Sequence, residues 1–341
     1  MELAVTLPYA EGAMTPAEVA EFVEAADRLG YHSVWVAEAW SYDAFMLLTS
    51  LAPHTERIGL GTSIVNVYSR TPALIGQSLA TLDALSGGRA ILGLGASGPQ
   101  VVEGWHGVPY RKPMQRTRET IEIVRTILRR ERLVYDGEIF DLDMGLKLIN
   151  HPVRSEVPIV VAALGPRNVE MTAELADGWM PTLYSPGRAG EVFGPALEAG
   201  RAKRSPDLAP LQVIATTSVG IFDDADAASM AKQLLKHGLA LYIGGMGSRE
   251  QNFYNHLVRR YGYDDIATTV QDLYLDRRRD EAAAAIPDEL VDEFAAVGSA
   301  AEVKDQLARF DASGVDVLMV QLVAMDQRGR LDLLETLPNL I

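Results

Sequence analysis

Short apolar, β-branched runs alternate with longer stretches of helical spacing along most of this chain. Glu2 to Leu7 is the first strand-like run. Thr15-Pro16 then opens a helix, with a hydroxyl to cap it and proline at its first position, that ends near Gly30. Ser33 to Ala37 reads as a strand, Asp43 to Leu51 as a helix, Arg57 to Val65 as a strand, Pro72 to Leu85 as a helix and Arg89 to Gly95 as a strand. A long helix near Gln115 to Arg130 follows, and Leu133 to Leu142, with Asp136-Gly137 between alternating runs, reads as a hairpin insertion. The rhythm resumes with Pro158 to Ala162 (strand), Arg167 to Ala176 (helix), Gly178 to Thr182 and Leu211 to Ile221 (strands), Ala300 to Ala312 (helix) and Val315 to Leu322 (strand). Eight of these strands, near residues 3, 35, 60, 92, 160, 180, 215 and 319, can close one sheet, which predicts an α/β fold, a (β/α)8 TIM barrel with insertions. Residues 1–341 are expected to form a single domain, with a helical insertion over 223–297 that caps the barrel mouth.

The polar residues gather where strands end. Leu60 to Pro72 runs from an apolar strand into Ser63, Asn66, Tyr68, Ser69 and Arg70, and Arg89 to Gly95 ends in Ala96-Ser97-Gly98-Pro99-Gln100. In a parallel α/β protein the ligand lies beyond the carboxyl ends of the strands, so these loops should share a pocket. Glu38 directly follows the apolar VWVA, where an acid either faces the mouth or is buried at a cost of several kcal/mol if unpaired. Trp40 and Tyr68 are the residues expected to meet a substrate, whereas Asp43 reads as the cap of the next helix. Gly165-Pro166-Arg167-Asn168 and Ser185-Pro186-Gly187-Arg188 each put small residues and an arginine at a predicted helix start, where an anion is favoured. Gly93, Gly95 and Gly98 spell G-x-G-x-x-G, but Pro99 is expected to interrupt the helix that a dinucleotide fingerprint needs, and Glu119 falls within a helix rather than at a strand end.

Composition narrows the chemistry. The chain has 341 residues and no cysteine, which excludes disulfides, thiolate nucleophiles and cysteine metal sites and suits a reducing cytoplasm. A net charge of -15 argues against a nucleic-acid partner, and no apolar stretch long enough to span a membrane is present. The 6 histidines lack metal-ligand spacing, and Asp223, Asp224 and Asp226 read as a helix start, so no metal is expected.

NVYSRTP, ATLDALSGGRAILGLG, GPRNVEMTAELADGW and SGVDVLMVQL resemble, in order, the bacterial luciferase-like superfamily, in its branch that uses the deazaflavin coenzyme F420, and look closest to methylenetetrahydromethanopterin-reductase-like proteins. The resemblance covers Glu2 to Thr182 and Phe294 to Leu322 and is poor between them. It implies a cis Ser63–Ile64 bond behind the deazaflavin with Asn66 close by, Ala96, Ser97 and Gln100 lining the cofactor, Ala162, Ala163, Leu164 and Gly165 along its chain, Thr182 beside it and Arg188 at its phosphate. Glu38 matches an acidic position near the pyrimidine, placed here as the catalytic residue. Two departures, Ala39 where sugar-phosphate and alcohol oxidisers carry histidine and Gly98 where an acid is expected, speak against alcohol oxidation. The expected activity is hydride transfer between deazaflavin C5 and a small organic substrate, in the direction of an F420H2-dependent reductase, by a cytoplasmic homodimer. The alternatives are an FMN-dependent two-component monooxygenase on the same fold and a non-catalytic cofactor-binding protein.

Overall fold

The structure, a computed structural model, describes residues 1–8 and 14–341. Its strands are β1 (Glu2–Thr6), β2 (Ser33–Ala37), β3 (Gly59–Asn66), β4 (Ala90–Gly95), β5 (Leu133–Asp136), β6 (Asp141–Leu146), β7 (Ile159–Val161), β8 (Gly178–Trp179), β9 (Gln212–Ile221), β10 (Ala295–Gly298) and β11 (Val317–Leu322). Eight of them, β1-β2-β3-β4-β7-β8-β9-β11, pair in parallel, and β11 returns to β1, so the ring closes as a TIM barrel. All eight strands read from the sequence are present. The hairpin is present too, as the antiparallel pair β5–β6.

The helices follow from ordinary local chemistry. Thr15 and Glu18 form a reciprocal capping box at α1 (Pro16–Leu29), which Gly30 ends in the left-handed region at φ 83°. Asp43 caps α2 (Ala44–Leu51) and Thr71 caps α3 (Pro72–Leu85), each accepting a backbone N–H from the first turn. Then come α4 (Pro99–Gly104), α5 (Pro113–Leu128), α6 (Pro166–Leu175) and α7 (Ala189–Arg201). The long segment after β9 carries α8 (Ala225–Ala240), α9 (Phe253–Arg260), α10 (Asp264–Leu275), α11 (Arg279–Ala284) and α12 (Asp288–Asp292), before α13 (Ala300–Ala312) and α14 (Gln327–Thr336) close the chain. Asp224 caps α8, as its sequence position suggested.

Two expectations need correction. The sixth barrel strand stops after Trp179 instead of running to Thr182, because Leu183 turns into the left-handed region at φ 54°. That leaves the upper edge of β9 without a neighbour, and backbone N–H and C=O groups there need partners. The final residues of the presumed helical segment supply them: Ala295 to Gly298 form β10, opposite Ser218 to Ile221.

Inside the ring, Ala4, Trp35, Val160, Met180, Ile214, Val317 and Met319 pack into one buried cluster. Trp35 is fully buried, its Nε1 donating to Ser33 Oγ at 2.7 Å, and its ring lies where a Cβ on Gly61 would fall 2.4 Å away. The barrel is therefore plugged, as TIM barrels are. Its amino end is also tied shut. Asp27 accepts the backbone N–H groups of Glu56, Arg57 and Ile58, Arg89 donates to the carbonyls of Ala52, Thr55 and Ile58, and Arg154 pairs with the buried Asp83. That leaves the carboxyl end as the place to look for a ligand.

Candidate active site at the carboxyl end of the barrel

Side chains alternate along a strand, so the residue two beyond each plugging residue also faces the barrel axis, one layer nearer the mouth. Those residues are Thr6, Ala37, Ala162, Thr216 and Gln321, every one small or uncharged. They form a short polar collar above a floor of Trp35, Met180 and Met319. Ala162, expected at the cofactor, belongs to this layer, whereas Thr182 lies past the end of β8, where the alternation no longer applies.

Ser63 and Ile64 stand where β3 carries one residue too many. Val36 and Ala37 of β2 face Thr62 and Ile64, skipping Ser63, and on the other side Gly61 and Val65 face Ile91 and Leu94. The extra residue makes a bulge, and two successive side chains turn inward. Ser63 Oγ lies 3.5 Å from Met180 Sδ, and Ile64 Cγ2 occupies the space over Gly95, where a Cβ would be 2.5 Å away. The gap in the ladder is filled by the Thr62 hydroxyl, which accepts from the Gly93 N–H at 2.8 Å and donates to the Gly93 carbonyl at 3.1 Å. The expected cis Ser63–Ile64 bond is not found: every peptide bond among the described residues is trans. The bulge absorbs the additional residue without it.

Beyond the bulge, at the end of β3, Asn66 is buried, its Oδ1 accepting the Tyr68 N–H at 2.9 Å, while its Nδ2 is buried with no partner among the described residues. A buried amide donor left unpaired at a strand end needs an acceptor, and the described residues do not provide one. The backbone beyond β4 is also unusual. Ser97 sits at φ 56°, a conformation that costs a non-glycine residue roughly 1 to 3 kcal/mol and clusters at functional sites. Ala96 is half-buried there, Ser97 and Gln100 are exposed, and Pro99, expected to interrupt, instead starts α4 at its first position. The dinucleotide reading still fails, because Glu119 is fully buried and accepts the N–H groups of Glu138, Ile139 and Phe140 at the hairpin turn.

Glu38 enters an ion pair. Its Oε1 accepts from Arg70 Nε at 3.2 Å, and its Oε2 accepts from Arg70 Nη2 at 2.9 Å and from the Ala44 N–H at 3.2 Å. The same Nη2 reaches Asp43 Oδ2, and the guanidinium lies over the Phe45 ring. Burial opposes the charge on Arg70, but the hydrogen bonds to Glu38 and Asp43 prevail and raise its pKa. Burial likewise pushes the Asp43 carboxyl up, and the Met46 N–H and Arg70 outweigh it, holding Asp43 below the usual carboxylate range. A carboxylate with both oxygens engaged by a guanidinium fork positions its loop. Arg70 was visible in the sequence among the polar residues after β3. Its role was not, because nothing local says that it reaches back across 32 residues.

The two proposed substrate contacts separate. Trp40 is 57% exposed beside the mouth. Tyr68 is buried, its hydroxyl donating to the Arg111 carbonyl at 2.8 Å, its ring stacked on Tyr110 at 5.2 Å and under Arg116 at 4.7 Å. It shapes the loop after β4 rather than offering a free hydroxyl. Tyr110 in turn donates to the Ser97 carbonyl at 3.2 Å, and burial, with Tyr68 nearby, pushes its pKa up to about 12.

Beyond β7, the Ala163 carbonyl accepts from Trp179 Nε1 at 2.9 Å, the Leu164 carbonyl from Arg260 at 3.3 Å, and Gly165 caps α6 with open space around its Cα. Arg188, expected at a helix start, is the exposed residue preceding α7, and its guanidinium lies 5.1 Å over the Tyr263 ring. Arg260, which sequence reasoning missed, bonds both to Leu164 and to the Val192 carbonyl of α7. So α9 and the residues just after it rest on the loops that follow β7 and β8.

The luciferase-like monooxygenase family model matches residues 1–317, which includes the segment where the motif resemblance was weakest. A protein of Mycobacterium tuberculosis, named provisionally as a coenzyme F420-dependent oxidoreductase, is 43% identical over 342 residues, covering 96% of each chain. The 5,10-methylenetetrahydromethanopterin reductase of Archaeoglobus fulgidus is 28% identical over 95% of this chain and 96% of its own. Among solved structures, the coenzyme F420-dependent tetrahydromethanopterin reductase of Methanopyrus kandleri superposes with a TM-score of 0.82 at 23% identity, covering 100% of this chain and 99% of that one. A closed eight-stranded barrel, a bulged third strand and a match across the chain make this protein a member of the luciferase-like monooxygenase family.

Proposed function

We propose that this protein is a coenzyme F420-dependent oxidoreductase that transfers hydride between the deazaflavin and a small organic substrate, working as an F420H2-dependent reductase. The observation that carries this is the 43% identity, over 96% of both chains, to a relative named for that cofactor. The residues fit the group: a buried Asn66 amide unpaired among the described residues, a bulge that turns Ser63 and Ile64 inward, and open backbone at Gly165 where a helix starts. When bound, F420 would supply two-electron chemistry at C5 of its ring. The chain's part is binding and orientation. The bulge and the collar would seat the ring, the Asn66 amide would donate to one of its acceptors, Ala162 to Gly165 would lie along its tail, and Arg188 would meet its phosphate.

Glu38 then acts with Arg70 to hold the 38–43 loop, and with it Trp40, over the ring. The helices over 223–297 would close that side of the mouth and, with Trp40, shape the substrate space, all within one domain. A cytoplasmic homodimer completes the reading.

Titration of the purified protein with F420 and with FMN is the direct test. F420 should bind with clear preference; tighter FMN binding together with flavin-dependent oxygen consumption would replace the reductase by a monooxygenase. Binding of F420 without turnover across a broad substrate screen would favour a cofactor-binding protein. Arg188→Ala should weaken F420 roughly ten- to a hundredfold, since a charged hydrogen bond is worth about 1.5 to 3 kcal/mol. Its melting temperature should stay close to wild type, because the ring contact it loses is worth only about 0.5 to 1 kcal/mol at an exposed site. Unchanged affinity would move the phosphate to the start of α6, beside Arg260.

A further inference from the structure

We propose that a cleft at the carboxyl ends of β1 and β11 binds the carboxylate of the substrate, which makes that substrate a small organic acid. This rests on the reading of the barrel mouth as the seat of cofactor and substrate. Thr6 ends β1, Gln321 lies near the end of β11 and Arg330 comes from α14; with Met14, Phe22 and Leu322 they line a cleft of about 70 Å3. That is space for a carboxylate and a few of the carbons that carry it, and too little for a cofactor. Thr6 and Gln321 also belong to the collar around the barrel axis, and Gln321 is exposed, so the cleft is a side arm of the mouth.

Two donors line this arm without acceptors. Neither the Arg330 guanidinium nor the Gln321 amide makes a hydrogen bond or ion pair among the described residues. Other arginines around the mouth are engaged: Arg70 by Glu38 and Asp43, Arg260 by the Leu164 and Val192 carbonyls, Arg188 by the Tyr263 ring. Glu18, an acid close enough to feel the charge of Arg330, already accepts the Thr15 N–H at 2.7 Å in the capping box of α1. α14 is itself pinned, because Gln327 donates to the Glu18 carbonyl and Tyr31 to the Leu334 carbonyl, each at 3.0 Å. A guanidinium fork matches the two oxygens of a carboxylate, and the amide can add a third hydrogen bond. Met14 and Phe22 are buried and Leu322 half-buried, a wall suited to a hydrocarbon stem. With a net charge of -15 the chain repels anions at long range, so affinity for an acid has to come from a local donor pair of this kind. β1 stands two strands from the bulge in β3, about 10 Å at one strand spacing each. The acid therefore carries its reducible carbon several bonds away from the carboxylate.

Calorimetric titration of the full chain, free of cofactor, with hexanoate and with its neutral counterpart hexanamide tests this. Hexanoate should bind at least roughly tenfold more tightly than hexanamide, as one charged hydrogen-bonded contact implies. Arg330→Gln should abolish that preference without changing hexanamide, and Arg330→Lys should keep part of it. Arg188→Ala should keep all of it, which separates this cleft from the phosphate site. Circular dichroism should show folded Arg330 variants, since the side chain is half-buried on a helix surface. F420 titrated into Arg330→Gln should bind as it does to wild type. A wild type that fails to bind F420 yet prefers hexanoate through Arg330 would support the acid site and overturn only the cofactor reading. No preference in wild type, a preference that survives Arg330→Gln or is lost in Arg188→Ala, or F420 binding weakened by Arg330→Gln would overturn the proposal.

Discussion

Arg70→Ala should destabilise the protein by about 2 to 3 kcal/mol and remove most of its F420-dependent turnover. The side chains of Arg70 and Glu38 are only 15% and 12% exposed, and removing the guanidinium leaves two carboxylates, Glu38 and Asp43, facing each other without their shared cation. Deleting one partner of a fully buried pair costs about 3 to 5 kcal/mol, and the lower figure allows for the greater exposure of Asp43. Turnover falls because the 38–43 loop loses its anchor. Arg70→Lys, which keeps the charge but not the fork, should recover part of the stability and less of the activity. The effect should also depend on pH. Asp43 has a folded pKa below its ordinary 3.8, so its contribution is present above that value and is lost as pH falls through the depressed one. Wild type and variant should therefore converge in acid. Chemical denaturation at two pH values, with steady-state kinetics, reads all of this; a variant that unfolds and turns over like wild type would mean that the loop is held by something else.

Gly93→Ala should do comparable damage through packing alone. A Cβ at Gly93 would stand 1.9 Å from the Thr62 carbonyl oxygen and 2.4 Å from that of Ser63. Both atoms are backbone of the bulged strand, so no rotamer change relieves the clash, and the cost should reach or exceed the about 1 to 3 kcal/mol usual for overpacking. Relief requires moving the bulge itself. The protein that still folds should bind F420 at least roughly tenfold more weakly. Gly95→Ala is the comparison: its Cβ would meet Ile64 Cγ2 at 2.5 Å, a side-chain methyl that a change of the stiff Ile64 χ1 must move, so it should be milder in stability than a clash with backbone while still disturbing binding. F420 affinity unchanged in a folded Gly93→Ala protein would mean that the bulge has no particular hold on the site.

The barrel was legible in the sequence because each of its strands is a short apolar run bounded by caps that work locally, such as Thr15-Pro16, Asp43 and Thr71. β10 was not. Ala295 to Gly298 pairs only because β8 ends early and leaves an edge of β9 open, a fact about residues more than 100 positions upstream. The same distinction runs through the site. Glu38, Asn66 and the residues after β4 stand out because polar groups at strand ends are a local signal. That Tyr68 would spend its hydroxyl on Arg111, that Glu38 would be taken by Arg70, and that Arg260 would reach Leu164 depends on which loops meet, and short-range pattern carries no record of it.

A barrel plugged by Trp35 is reached from its carboxyl end. Cofactor and substrate must both come and go over the same rim, and whichever lies against the bulge is roofed by the other. Traffic through such a door is ordered by depth. If the proposed seat on Ser63 and Ile64 holds, its occupant enters first and leaves last, so steady-state patterns should be sequential with a compulsory order, and an inhibitor that mimics the outer guest should trap the inner one.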